Sequence, residues 1–146
     1  MNIKLPEQNP KTTFVFQINC GESFYIGHTT SIDWLRKELA STYGRYHRGG
    51  IPDSNLFYKL LRCYHAQEKP ELRISVVLET DNGYEILKQE LLLLAASVGT
   101  KGCLNESYVP YIPKTVHANK GSNWLTQNQY LNFMRLLKRY KLKAAQ

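Results

Sequence analysis

The order in which the spacing of apolar residues changes along the chain most constrains what it can fold into. Thr13 to Asn19 is β-branched and aromatic, Cys20-Gly21-Glu22-Ser23 has turn composition, and Phe24 to His28 is apolar again, which predicts a β-hairpin. Thr29, Thr30 and Ser31 offer helix caps, after which Ile32, Leu35, Leu39 and Tyr43 recur at helical spacing until Gly44. A loop from Gly44 to Pro52 follows, and Asp53 or Ser54 caps a second helix that runs to about Gln67 on Leu56, Leu60, Leu61 and Tyr64. Leu72 to Glu79 reads as a third strand with Ile74, Val76 and Leu78 on one face. Asp81-Asn82-Gly83 then opens a third helix, Tyr84 to about Ser97, with Asn82 and Glu85 at capping-box spacing. The order ββααβα predicts an α+β fold, a small three-stranded antiparallel sheet flanked by helices.

A chain of 146 residues, 42% of them hydrophobic, can bury one core with an appendage but not two full-sized cores. We divide it into an N-terminal arm (1–12), a body (13–106) and a basic C-terminal extension (107–146). The extension begins with a Pro- and Gly-containing linker to Ser122 and ends in a helix opened by Thr126 and Gln129, again at capping-box spacing. The net charge of +7 is distributed along the same division. Residues 1–106 sum to zero, whereas Lys114, Lys120, Arg135, Lys138, Arg139, Lys141 and Lys143 carry the whole excess, and no acid lies beyond Glu106. No apolar run reaches the length of a membrane span, and the first residues lack the apolar stretch of a signal peptide, so no membrane partner and an intracellular setting, cytoplasmic or nucleoid-associated, are expected. Cys20, Cys63 and Cys103 are odd in number and widely spaced, which fits reduced thiols packed as small hydrophobes.

Two charges interrupt apolar helix faces. At 100° per residue the third helix places Leu93, Ile86, Glu90, Leu94, Leu87 and Leu91 on one continuous arc, and the first helix places Leu35, Leu39, Ile32, Tyr43, Arg36 and Ala40 on another. A buried carboxylate is costly unless a cation or hydrogen-bond donors meet it. Arg36 and Glu90 could pair with each other, or the faces could curve out to water, or both charges could serve a concave site. The last is the expectation, and it suits phosphoryl chemistry, with a carboxylate for a divalent metal and a guanidinium for phosphate oxygens.

Phe16-Gln17-Ile18, Tyr25-Ile26-Gly27, Arg36, Glu90 and Leu104-Asn105, in this order, resemble the signature of the GIY-YIG nucleases, over about residues 13–106. The resemblance implies a GIY-YIG-like nuclease domain that cuts DNA with Mg²⁺ or Mn²⁺. By that likeness Tyr25 lies beside the attacking water or the scissile phosphate, Arg36 stabilises charge on the phosphate, Glu90 holds the metal and Asn105 buttresses the site. His28 directly follows Tyr-Ile-Gly and is either a proton carrier or a surface residue at a strand end. The sequence departs from the pattern where the family has Gly-Ile-Tyr: the aligned residues are Phe14-Val15-Phe16, so the first tyrosine hydroxyl is lost. Tyr25, His28 or metal-bound hydroxide is left to do the activation of water that this hydroxyl is associated with in the family, or the chain is a degenerate relative that binds DNA without cutting it.

In the last helix Tyr130, Phe133, Met134 and Leu137 form an apolar stripe that can dock, with Arg135, Lys138 and Arg139 on other faces. Seven cations without an acid make Arg135, Lys138, Arg139 and Lys143 expected DNA-backbone contacts, and Arg45, His47 and Arg48 form a second expected contact. The sequence is compatible with a monomer or a homodimer.

Overall fold

The structure is a computed structural model that describes residues 1–52, 57–110 and 125–144, the last three by their backbone alone. The hairpin forms as its composition predicts, from Phe14–Cys20 and Ser23–Thr29, paired from Phe14 with Thr29 to Cys20 with Ser23. Leu72–Glu79 lies antiparallel to the first of these strands, with a register shift between Val15 and Phe16. A further strand corrects the three-stranded expectation: Ile3–Lys4, in the N-terminal arm, pairs in parallel with Leu72 and Arg73. In chain order these strands are β1 (Ile3–Lys4), β2 (Phe14–Cys20), β3 (Ser23–Thr29) and β4 (Leu72–Glu79), and the mixed sheet runs β1-β4-β2-β3. A two-residue strand has no periodicity to betray it. It is fixed by hydrogen bonds of the adjoining Asn2 backbone: the Leu72 N–H donates to the Asn2 carbonyl at 2.9 Å and the Asn2 N–H to the Tyr64 hydroxyl at 2.8 Å.

Helices α1 (Ile32–His47) and α2 (Tyr58–Ala66) cover one face of the sheet. Their Ile32, Leu35, Leu39, Leu60 and Tyr64 pack on Phe14, Phe16, Ile18, Leu72 and Ile74. Helix α3 (Gly83–Ser97) covers the other face, setting Ile86 and Leu94 on Val15 and Ile26. Its start is capped by the Asn82 side chain, which accepts from the Tyr84 and Glu85 N–H groups. Helix α4 (Gln127–Ala144) opens with the expected reciprocal bonds, each of Thr126 and Gln129 accepting from the other's N–H at 3.1 Å. No helix among the described residues is long and apolar enough to cross a membrane.

Gly44 does not stop α1, which runs on through Arg45, Tyr46 and His47. The stop is Gly49, whose φ of +67° is open to glycine at little cost. Its N–H donates to the Tyr46 carbonyl at 3.0 Å and that of Gly50 to Arg45 at 2.8 Å, closing the helix end with both bonds of a Schellman motif. Arg45 and His47 therefore sit on a helix rather than in a loop. The expected cap at Asp53 or Ser54, Leu56, most of the linker, and Lys114, Lys120 and Lys143 lie outside the described residues or side chains.

The docking face of α4 differs from the expected stripe. Phe133 and Leu137 bury against Leu87 and Leu91 of α3, joined by Leu136 and Tyr140, while Met134 and Leu131 stay exposed. The predicted stripe lies one row away from the true one, because Leu136 and Tyr140 take the place assigned to Met134.

Candidate active site

The free side of β3 positions the site. Beyond it, residues 102–105 run alongside as an incomplete further strand: the Phe24 N–H donates to the Gly102 carbonyl and the Leu104 N–H to the Phe24 carbonyl, both at 2.8 Å. Asn105 supplies the next rung with its side chain. Its Oδ1 accepts from the Ile26 N–H at 2.8 Å and its Nδ2 donates to the Ile26 carbonyl at 2.9 Å. One primary amide thus replaces a backbone partner at the centre of Tyr25-Ile26-Gly27, a buttress to the strand.

Gly27 lets Phe16 lie across that strand. A Cβ on Gly27 would stand 2.6 Å from Cζ of Phe16, its cross-strand partner. The Phe16 ring is buried and packs against Phe14 and Tyr25, each at 6.4 Å between centroids. Tyr25 is closed in from above by Phe57, 5.6 Å away and edge-on. Burial, reinforced by the Glu90 carboxylate, pushes the Tyr25 phenol up to about 12. At neutral pH it is a hydrogen-bond donor and not a base.

Glu90 is 3% exposed, as the helix wheel predicts. It stands at the middle of the Ile86, Glu90, Leu94 stripe, which faces the sheet, and its Oε2 meets Nδ1 of His28. The His28 side chain, at the end of β3, is 8% exposed, so His28 is not a surface residue. Strand alternation puts His28 on the α3 side, with Ile26, and Tyr25 on the α1 and α2 side, so the site straddles the sheet edge.

Arg36 does not join Glu90 or interrupt a buried face. It lies at the rim of the α1 arc, its side chain 50% exposed, and donates to Asp33 at 2.8 Å. Arg36, with Lys37 adding to it, holds the Asp33 carboxyl below its ordinary range. The apolar arc of α1 ends at Tyr43, and Ala40 beyond Arg36 is itself exposed.

Of the expected nucleic-acid contacts, Arg45, His47 and Arg48 are exposed at the end of α1, and Arg135, Lys138 and Arg139 are exposed on α4. Three residues on α2 escaped sequence reasoning. Tyr58, Arg62 and His65 recur at i, i+4 and i+7, the signal of one helical stripe, and two of them touch α1.

Among the described residues no group of three or more His, Cys, Asp and Glu side chains could cage a metal. Glu90 is the donor that remains. Its Oε1 has no hydrogen-bond partner among the described residues, although the side chain is buried. An orphaned carboxylate oxygen fits Mg²⁺ or Mn²⁺, since Mg²⁺ keeps several waters and takes one or two carboxylates from the protein.

No protein-family model matches the chain, and comparison with curated proteins and with solved structures likewise returns no match.

Proposed function

We propose that the chain is a divalent-metal-dependent DNA endonuclease, hydrolysing phosphodiester bonds at the β3 edge through a site of the GIY-YIG kind. The observation that carries this reading is Glu90, a carboxylate held inside an apolar helix face with one oxygen on an imidazole and the other unpartnered among the described residues. Such a pair is a poor device for stability, because well-packed apolar side chains in its place are often neutral or stabilising.

Mg²⁺ or Mn²⁺ on Glu90 would supply Lewis acidity, offsetting charge on the phosphate and the leaving oxygen. The remaining steps fall to the chain's own residues. A carboxylate only accepts hydrogen bonds, so the His28 proton sits on Nδ1 and Nε2 is the basic atom, fit to take a proton from the attacking water. Tyr25, still protonated far above neutral pH, donates to a phosphate oxygen as charge grows there. Phe16 supplies packing and no chemistry. Arg36 exchanges the Asp33 carboxylate for a phosphate, for which its planar fork is equally suited. Asn105 positions β3, and Arg135, Lys138 and Arg139 take backbone phosphates outside the site. Such an enzyme would work in the cytoplasm or at the nucleoid, as a monomer or a homodimer.

Phe16 favours a second reading, a catalytically inactive protein that binds nucleic acid on the same scaffold. Nicking of supercoiled plasmid with Mg²⁺ or Mn²⁺ separates the two. Cleavage by the wild type that disappears in Glu90→Gln and Arg36→Ala is expected. No cleavage of duplex, branched or single-stranded DNA by the wild type overturns the enzyme reading, and activity that rises in Phe16→Tyr identifies an enzyme weakened by the lost hydroxyl.

A further inference from the structure

The neutral charge of the body conceals a segregated one. Residues 39–67 contain Arg45, Arg48, Lys59 and Arg62 and one acid, Asp53, which lies outside the described residues. Elsewhere in the body every described arginine has a carboxylate partner, Arg36 on Asp33 and Arg73 on Glu71, and Lys37 shares Asp33. Lys59 also has one, in Glu106. Among the described residues Arg45, Arg48 and Arg62 have none. Among the described residues Arg45 reaches only the Thr42 hydroxyl, at 3.5 Å.

These three guanidiniums flank a chain of rings. Tyr58 packs on Tyr46 at 5.6 Å, Tyr46 on His65 at 6.1 Å, His65 on His47 at 5.1 Å and His47 on Tyr43 at 4.3 Å, every contact edge-on. Arg62 stands between Tyr58 and His65 on the same stripe of α2. The inner end of the chain, where Tyr43 meets Tyr64, belongs to the core, but His47 and His65 are exposed and Tyr46 and Tyr58 half-exposed. A contact built only to hold α1 to α2 needs neither exposed imidazoles nor three guanidiniums that have no carboxylate partner among the described residues. Exposed rings beside exposed cations are the two components of a single-strand surface, where bases stack and phosphates are neutralised. Duplex DNA, its bases already stacked, would use the cations alone.

We infer that the outer face of the α1 end and α2 binds single-stranded DNA, with unpaired bases on Tyr46, His47 and His65 and phosphates on Arg45, Arg48 and Arg62. The choice of DNA rests on the nuclease reading above, for which this surface defines the substrate class: DNA with an unpaired segment. The surface adjoins the site, because Phe57, next to Tyr58 in the chain, is the residue that packs on Tyr25.

The test uses the full chain in EDTA, so that cleavage plays no part, with anisotropy of a fluorescein-labelled fifteen-nucleotide oligothymidine and of a duplex of the same length. We expect the single strand to bind more tightly. His47→Ala with His65→Ala weakens it by about ten-fold or more while duplex affinity stays level. Arg62→Gln, an exposed change that leaves the rings in place, lowers the salt slope of single-strand binding by about 0.7. Photocrosslinks from 5-iodouracil fall on Tyr46 or His65. Equal affinity for both forms, an unaltered slope in Arg62→Gln, or crosslinks confined to α4 overturn the inference, and tighter binding of oligouridine overturns its assignment to DNA. Plasmid nicking separates this outcome from failure of the nuclease reading: cleavage without single-strand preference sinks only the surface, and preference without cleavage sinks only the enzyme.

Discussion

Asn105 offers the sharpest test of how the site is held together. Its amide makes two hydrogen bonds to Ile26, at 2.8 and 2.9 Å, on the side of β3 where no regular strand pairs. A net worth of about 1 kcal/mol for each bond makes Asn105→Ala destabilising by about 2 kcal/mol, with part of that loss recovered where water reaches Ile26. For a chain of this length the corresponding drop in Tm is about 4–8 °C. Asn105→Asp is the discriminating change, since it preserves shape and the acceptor for the Ile26 N–H but turns an oxygen toward the Ile26 carbonyl. It should cost at least as much as the alanine variant at neutral pH. Thermal melts measure the total, and native-state exchange of the Ile26 amide measures its location. If Asn105→Asp melts with the wild type, or the Ile26 amide keeps its protection in Asn105→Ala, the amide is not the rung that fixes β3, and its role as a buttress is refuted.

The other predictions concern the same elements. The Tyr25 phenol is held at about 12 against an ordinary 10, so the unfolded chain releases this proton first. Stability present below pH 10 is therefore lost between about pH 10 and 12, by about 2–3 kcal/mol, and Tyr25→Phe should flatten that part of a stability-versus-pH curve. Gly27→Ala forces the buried Phe16 ring aside and should cost about 1–3 kcal/mol by denaturant titration, with a smaller loss when Phe16→Leu is also present. Exchanging Arg135, Lys138 and Arg139 together for Gln should lower the salt slope of duplex binding by up to about 2.7 without changing the melt, and an unchanged slope would show that α4 reads no phosphates. Phe133→Ala should destabilise the fold by about 3–5 kcal/mol, because its ring is fully buried between α3 and α4.

What was legible in the sequence follows the strength of the periodic signal. Helix α3 holds its period over four turns, and the burial of Glu90 could be read from Ile86, Leu87, Leu91 and Leu94 around it. On α1 the same method misplaced Arg36, since a residue at the rim of an arc can turn outward along its own flexible stem, and Asp33 one turn earlier draws it there. Gly44 misled because glycine is a weak stop: it costs a helix interior about 1 kcal/mol relative to alanine, which surrounding packing absorbs. The stronger signal was the Gly49-Gly50 pair, which carries the positive φ and the closing bonds. The pairing of Ile3–Lys4 with β4, and of His28 with Glu90, spans about 60 residues or more of sequence and could be found only in the fold.

The division of the chain into a neutral body and a basic extension changes meaning once α4 is seen on α3. Helix α3 is enclosed on two sides, by the sheet along Ile86, Glu90 and Leu94 and by α4 along Leu87 and Leu91. The four exposed cations of α4, Arg135, Lys138, Arg139 and Lys141, therefore stand on a helix packed against the one that carries the buried carboxylate, with one layer of apolar side chains between. Cutting the chain before α4 would remove cations and open the Leu87–Leu91 core in one step, so loss of DNA affinity in such a truncation would say nothing about charge. Neutralising the cations one by one leaves Phe133 and Leu137 in place and isolates the charge. The same geometry makes α3 a rigid mount for both surfaces, and sites held on rigid elements keep the precision that chemistry requires. A buried Glu90 is costly in a core this small, and the enclosure of α3 is what makes that cost bearable: the packing of Leu87, Leu91, Phe133 and Leu137 offsets it on the face Glu90 does not use.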